Sequence, residues 1–243
     1  MKNKWKYTLI ILGIAAVAAY LVFAFGFGNS EKTEYKGVSI SIKDSDELQF
    51  ITEKNIEKIL LQNGINLQKM AENDINLEKI ETLLQEKCRV IRRVECYKTG
   101  SGKLKIDVWQ KRPLFRVMGG RNYYIDEMKK EIPLSPDFSA FVPIVTGNTE
   151  KTFLTGELFE FMLFLQNDNF WQSQITQIDI DKNYEITLVP RVGKHTILLG
   201  TLDNYEEKMK NLLTFYKKVS KEKGWNRYSK INLQFENQII CTK

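Results

Sequence analysis

The chain opens with its longest apolar run. Tyr7 to Phe27 carries no charged residue, and at about 1.5 Å of rise per residue a helix over it spans about 31 Å. That matches a bilayer hydrocarbon core of about 30 Å. Lys2, Lys4 and Lys6 precede the run and the next lysine is Lys32. Positive charge on the near side predicts a cytoplasmic stub over 1–6, a transmembrane helix over 7–27 and a body beyond the membrane. Ala16-Val17-Ala18 has the form of a signal-peptide cleavage site, but Tyr20 to Phe25 prolongs the apolar run past it. An uncleaved anchor is the preferred reading.

Beyond the anchor the period changes. Val38-Ser39-Ile40-Ser41-Ile42 alternates as a strand does. Thr52 suits the cap of a helix over Glu53–Gln62 with Ile56, Ile59 and Leu60 on one face, and Gly64 suits its end. Leu77, Ile80, Leu83, Leu84 and Cys88 recur at helical steps over about 76–87. Val90–Lys98 and Leu104–Gln110 alternate again, with Thr99-Gly100-Ser101-Gly102 as a hairpin turn. The order β-α-α-β-β predicts sequential antiparallel strands with helices on one face, a small α+β domain over 35–117.

A second mixed domain is expected over 118–243. Its predicted elements are strands at Tyr123–Ile125 and Val142–Val145, a helix over Thr155–Gln166, and strands at Ile175–Ile180, Tyr184–Val189 and Thr196–Leu199. Asp203 with Glu206 reads as a capping box for a long helix bearing Tyr205, Met209, Leu212 and Tyr216, ended by Gly224. Ile231, Leu233 and Phe235 then alternate, followed by Ile239 to Cys241. This half reads as an antiparallel-type sheet with two helices lying on it, and the whole body is α+β.

Charge alters little. Of the net +6, half comes from the three lysines of 1–27, leaving 33 basic against 30 acidic residues. That balance excludes a nucleic-acid footprint. No pair among Cys88, Cys96 and Cys241 has metal-ligand spacing, and a Cys88–Cys96 bridge stays open. His195 is the sole histidine and no nucleophile elbow accompanies it. Asp179 and Asp181 flank a turn, where acids bond locally. Gly100-x-Gly102 and Gly119-Gly120 lack a phosphate-loop lysine. No catalytic set, metal or cofactor site is expected, and a docking role follows. Its asset is an exposed sheet edge between Tyr228 and Ile240.

An ordered set of motifs resembles the FtsQ/DivIB family of cell-division proteins, in its Bacteroidetes-like form. The anchor precedes a unit that looks like a POTRA domain. Val108-Trp109-Gln110-Lys111-Arg112-Pro113-Leu114-Phe115-Arg116-Val117 is similar to the family's charged-residue-then-proline junction, with Arg112 and Pro113 as its centre. Tyr124-Ile125-Asp126, Val142 to Gly147, Leu199-Gly200-Thr201 and the ending Ile231 to Cys241 follow in family order. The chain departs at Glu127-Met128-Lys129-Lys130, where the family often has a glycine soon after the aspartate, so that turn should differ. Gln234 stands where some members carry arginine.

The resemblance implies a non-enzymatic divisome scaffold of the cell inner membrane, its body in the periplasm, helping to control septal peptidoglycan synthesis. It implies FtsB/FtsL-type coiled-coil partners, besides other divisome membrane proteins, that add a strand to the last strand of the second domain. Gln234, Phe235 and Asn237 are expected on that strand, with Tyr228, Ile231, Leu233 and Ile239 completing the partner-binding set. The competing readings are a membrane-anchored envelope hydrolase and a POTRA-type transport or assembly adaptor.

Overall fold

The computed structural model describes residues 12–23, 37–67, 69, 75–236 and 238–243, with the side chains of 219–223 outside that description. Helix α1 covers 12–23, and Leu12, Ile14, Val17, Tyr20, Val22 and Phe23 are all exposed on it. Among the described residues no helix is long and apolar enough to cross a membrane. The rest of the expected span, and the stub 1–6, lie outside them.

The first unit is a three-stranded sheet of β1 (Val38–Ile42), β2 (Ile91–Lys98) and β3 (Leu104–Gln110), in the order β1-β3-β2. Helices α2 (Glu53–Gln62) and α3 (Leu77–Lys87) connect β1 to β2. The expectation of antiparallel neighbours holds for β2–β3 but not for β1, which pairs parallel with β3. A crossover through two helices is long enough to bring the chain back for that arrangement. Thr52 and Asn55 form a capping box at the start of α2, and Asn76 caps α3 by accepting from the Lys79 N–H at 3.0 Å. Ile56, Leu60, Ile80 and Leu84 thereby face Leu104, Ile106 and Val108 in one core. Buried Gln110 closes that core. It accepts from Ile51 N–H at 3.1 Å and donates to Leu48 O at 2.6 Å and Asp44 Oδ1 at 3.0 Å.

The second unit is a nine-stranded mixed sheet in the order β12-β11-β10-β9-β8-β7-β4-β5-β6. Its strands are β4 (Pro113–Val117), β5 (Tyr123–Asp126), β6 (Glu131–Pro133), β7 (Ile144–Gly147), β8 (Ile175–Ile180), β9 (Ile186–Pro190), β10 (Thr196–Gly200), β11 (Lys230–Asn232) and β12 (Ile240–Thr242). Three of its pairings, β4–β7, β7–β8 and β10–β11, are parallel, so it is not the antiparallel-type sheet the pattern predicts. Segments containing helices lead into β8 and β11, and such connections permit parallel pairing. Because β4 belongs here, the sheets part between Gln110 and Pro113, upstream of the expected division at 117/118.

Among the described residues, four helices rather than two accompany this sheet: α4 (Lys151–Thr155), α5 (Glu157–Gln166), α6 (Asn169–Gln174) and α7 (Tyr205–Lys223). Gly156 separates α4 from α5 with a non-helical backbone, φ −103° and ψ −110°. Asp168 starts α6 by accepting from Phe170 and Trp171 N–H at 2.9 and 3.0 Å. The expected Asp203 capping box gives way to another arrangement. Asp203 accepts from the Thr201 hydroxyl at 2.8 Å, and Asn204, at φ +52°, stands between it and α7.

The two units share apolar contacts. Tyr124 of β5 and Ile132 of β6 are buried in the first unit's core. Phe50 meets the Tyr124 ring at 5.5 Å and the Phe138 ring at 4.9 Å, both edge-on.

Candidate docking edge

β12 is a terminal strand of the larger sheet and, among the described residues, pairs only with β11, through Lys230↔Thr242, Ile231↔Cys241 and Asn232↔Ile240. Among the described residues its other side carries no strand, so main-chain donors and acceptors on that side are available for pairing. β11 is held by parallel pairing to β10, and the Leu233 N–H extends that ladder to Leu198 O at 2.9 Å. Ile231 and Leu233 are buried in the large core, which fixes which face of the hairpin points inward.

The chain leaves the strand after Asn232, which corrects the expectation that Gln234 and Phe235 lie on the last strand: they belong to the connection between β11 and β12. Asn237, the third residue of that set, lies outside the described residues. A local cause is visible at Gln234. Its N–H donates to Asn232 Oδ1 at 2.9 Å, a side-chain turn that replaces the ladder bond. Its side chain crosses Gly200, where an added Cβ would sit 2.8 Å from Gln234 Cγ, and its amide donates to Glu185 at 3.3 Å.

This connection and α7 enclose a cavity of about 340 Å³, lined among others by Glu207, Lys208, Asn211, Phe235, Gln238 and Ile239. Leu233 and Gln234 also line it, so four of the sequence-predicted residues converge there. Phe235 is 48% exposed beside it and Ile240 on β12 is 44% exposed. Tyr228 and Ile231 instead line a small neighbouring space with His195 and Tyr216, and the Tyr228 ring lies 5.9 Å from that of Phe215. The α7 wall was not anticipated. Its signal was the polar pair Glu207 and Asn211, four residues apart on the side of the helix away from Met209 and Leu212.

The junction residues stand elsewhere. Arg112 reaches Glu47 of the first unit at 2.9 Å, and Pro113 opens β4 opposite Asp126. The turn over 127–130 is built without glycine. Buried Asp126 accepts from Met128 and Lys130 N–H at 2.8 and 2.7 Å, and Lys129 takes φ +61°. Two bonds to one carboxylate hold a backbone conformation that glycine adopts without help.

His195 is a buried packing residue, its Nε2 2.7 Å from the Tyr216 hydroxyl, and burial pushes its pKa down. Asp179 accepts from the Thr146 hydroxyl on neighbouring β7 at 2.6 Å, and Asp181 accepts from Asn183 and Glu185 N–H within its own turn. All three cysteines are free thiols. Burial pushes Cys96 up to about 12, aided by Glu81 and Asp107, which keeps it protonated. Trp109 packs under the Arg93 guanidinium at 5.0 Å, and Trp171 is in the core. Among the described residues no cluster of histidine, cysteine and acid groups could hold a metal ion.

Comparison with known families divides the chain where the two sheets part. Residues 34–109 match a POTRA-like domain model, and residues 112–242 match the model for the FtsQ/DivIB, C-terminal related domain. No curated protein matches the chain. The second match alone covers more than half of the 243 residues and contains every strand of the larger sheet, so the chain belongs to the FtsQ/DivIB family of cell-division proteins.

Proposed function

We propose that this protein is a membrane-anchored, non-enzymatic scaffold of the divisome that captures an FtsB/FtsL-type partner outside the cytoplasm by strand addition at β12. The observation that carries the reading is the unpaired side of β12, with exposed Ile240 on it and Phe235 beside the adjoining cavity. Backbone pairing supplies a register-tolerant attraction, and pockets beside the edge select side chains. Phe235 and Ile240 are apolar anchors of the kind that dominate interface energies, and Glu207 with Lys208 supplies charge of both signs at the cavity. The exposed apolar side chains of α1, together with the uncharged run Tyr7–Phe27, support anchorage in the inner membrane.

The test is photo-crosslinking in living cells with a reactive residue placed at Ile240, at Phe235, or at exposed Lys182 as a control. Adducts to small coiled-coil division proteins from the first two sites and not the third are expected. Equal adducts from all three, or none from Ile240, would count against the edge. Phe235→Lys should reduce capture about tenfold, the order of a lost hot-spot contact, while the melting temperature stays within about 2 °C of the parent, as for an exposed substitution. A large fall in melting temperature with capture unchanged would make Phe235 a structural residue.

A further inference from the structure

Of the eight arginines, three are paired with an acid among the described residues. Arg93, Arg112 and Arg121 each meet a glutamate: Glu95, Glu47 and Glu131 respectively. Arg116 and Arg191 have no carboxylate partner among the described residues. Both line one cavity of about 230 Å³, bounded by the segment 139–144, α6 and the start of β8.

Arg116 enters that cavity from β4. Its guanidinium carbon lies 5.8 Å from the ring of Tyr124, its cross-strand neighbour, and its buried Nε–H has no acceptor among the described residues. A buried N–H donor left unpaired costs free energy that an anion in the cavity would offset. The Tyr124 ring offsets only part of that cost.

Arg191 approaches from the end of β9 and is held in place. Its Nε donates to Ser173 O at 2.7 Å, its backbone N–H donates to Gln174 O at 2.6 Å, and its guanidinium stacks 4.3 Å from the Phe141 ring. Phe141 is 81% exposed, an unusual position for a phenylalanine and one that makes an apolar rim. Ser139, Gln172 and Thr176 add neutral polar groups to the wall.

We propose that this cavity binds the free carboxylate at the end of a peptide, with Arg116 and Arg191 as its two cationic contacts and Phe141 against the terminal side chain. The planar guanidinium fork matches a carboxylate, and two forks at one small site favour a single localised anion over a dispersed one. The volume falls below the roughly 300–1,000 Å³ of clefts that enclose a whole drug-sized ligand, so it admits the end of a longer molecule. The apolar share of the wall, from Phe141 through Ile144, suits an anion carried directly on carbon. This site is separate from β12 and stands independently of what binds there.

The test titrates the full chain with acetyl-Ala-Ala-Leu bearing a free carboxylate, and with its C-terminal amide. Saturable binding of the acid is expected, with the amide at least about tenfold weaker, the effect of losing one charge-assisted hydrogen bond. Arg116→Gln and Arg191→Gln should each weaken the acid about tenfold on the same ground. Arg191 is exposed, so its variant carries the test if Arg116→Gln lowers the melting temperature. Equal binding of acid and amide, no saturable binding, or unchanged affinity in Arg191→Gln overturns the proposal. Displacement of the peptide by inorganic phosphate at lower concentration than by acetate would assign the cavity to phosphate and overturn it as well.

Discussion

His195 illustrates how one residue type changes meaning with its surroundings. In the sequence it is the lone candidate base; in the fold it packs on Tyr216 between β10 and α7, where burial holds its pKa below the ordinary histidine value. The neutral form is therefore favoured by folding. Stability linked to this group is full above the unfolded pKa of about 6.5 and declines as pH falls through that value toward the lowered folded one. Thermal melts between pH 8 and pH 5 should show a decrease below about pH 6.5 that is smaller in His195→Gln, which cannot charge. Identical pH dependence in both proteins would remove His195 from the account. What the sequence makes legible at this scale is identity and spacing, such as the Thr52 cap. What it hides is burial of a polar group through contacts far along the chain. Gln110 needed Asp44, Leu48 and Ile51 before its place on an apolar face made sense.

Elements were legible where a single period ran for several residues, and lost where a turn residue intervened. The pattern Ile186–Pro190 begins two residues later than expected because Tyr184 sits at φ +61° in a turn organised by Asp181. The helix expected over Thr155–Gln166 begins instead at Glu157, because Gly156 breaks the backbone after the separate short α4. The β11–β12 connection reads as a continued alternation, yet Asn232 diverts the backbone at Gln234. Glycine decides most sharply at the end of β7. Gly147 has φ +86°, and a Cβ there would come 2.0 Å from Ile180 O on neighbouring β8. Gly147→Ala combines strain with a backbone clash and should destabilise the protein by more than about 2 kcal/mol. Gly100→Ala, with open space around it, should stay within about 0.5 kcal/mol as a surface change does. Urea unfolding of the two variants measures both; comparable effects would mean that the β7–β8 register yields more readily than its geometry implies.

The whole molecule behaves as two sheets tied by a shared patch of core. The pattern could show two domains, but not that Tyr124 and Ile132, carried by the larger sheet, complete the smaller core. Such long-range contacts leave no periodic trace, because each partner looks like an ordinary strand residue in its own segment. Phe50 links the two through Tyr124 and Phe138. Phe50→Ala should cost about 3–5 kcal/mol, the usual range for a buried aromatic. It should lower the unfolding midpoint reported by Trp109 in the small unit and by Trp171 in the large one together, read in single-tryptophan backgrounds. A shift confined to Trp109 would show that the units melt separately.

The brevity of β12 has its own consequence. A rail three residues long offers only a few ladder bonds, each worth about 1 kcal/mol net, so backbone pairing alone makes a short-lived attachment. A partner added there as proposed would owe its residence to the side-chain anchors and to how many copies of it are tethered nearby. Under the proposed strand addition, a scaffold built this way would exchange its cargo as local supply changes, without unfolding anything to let go.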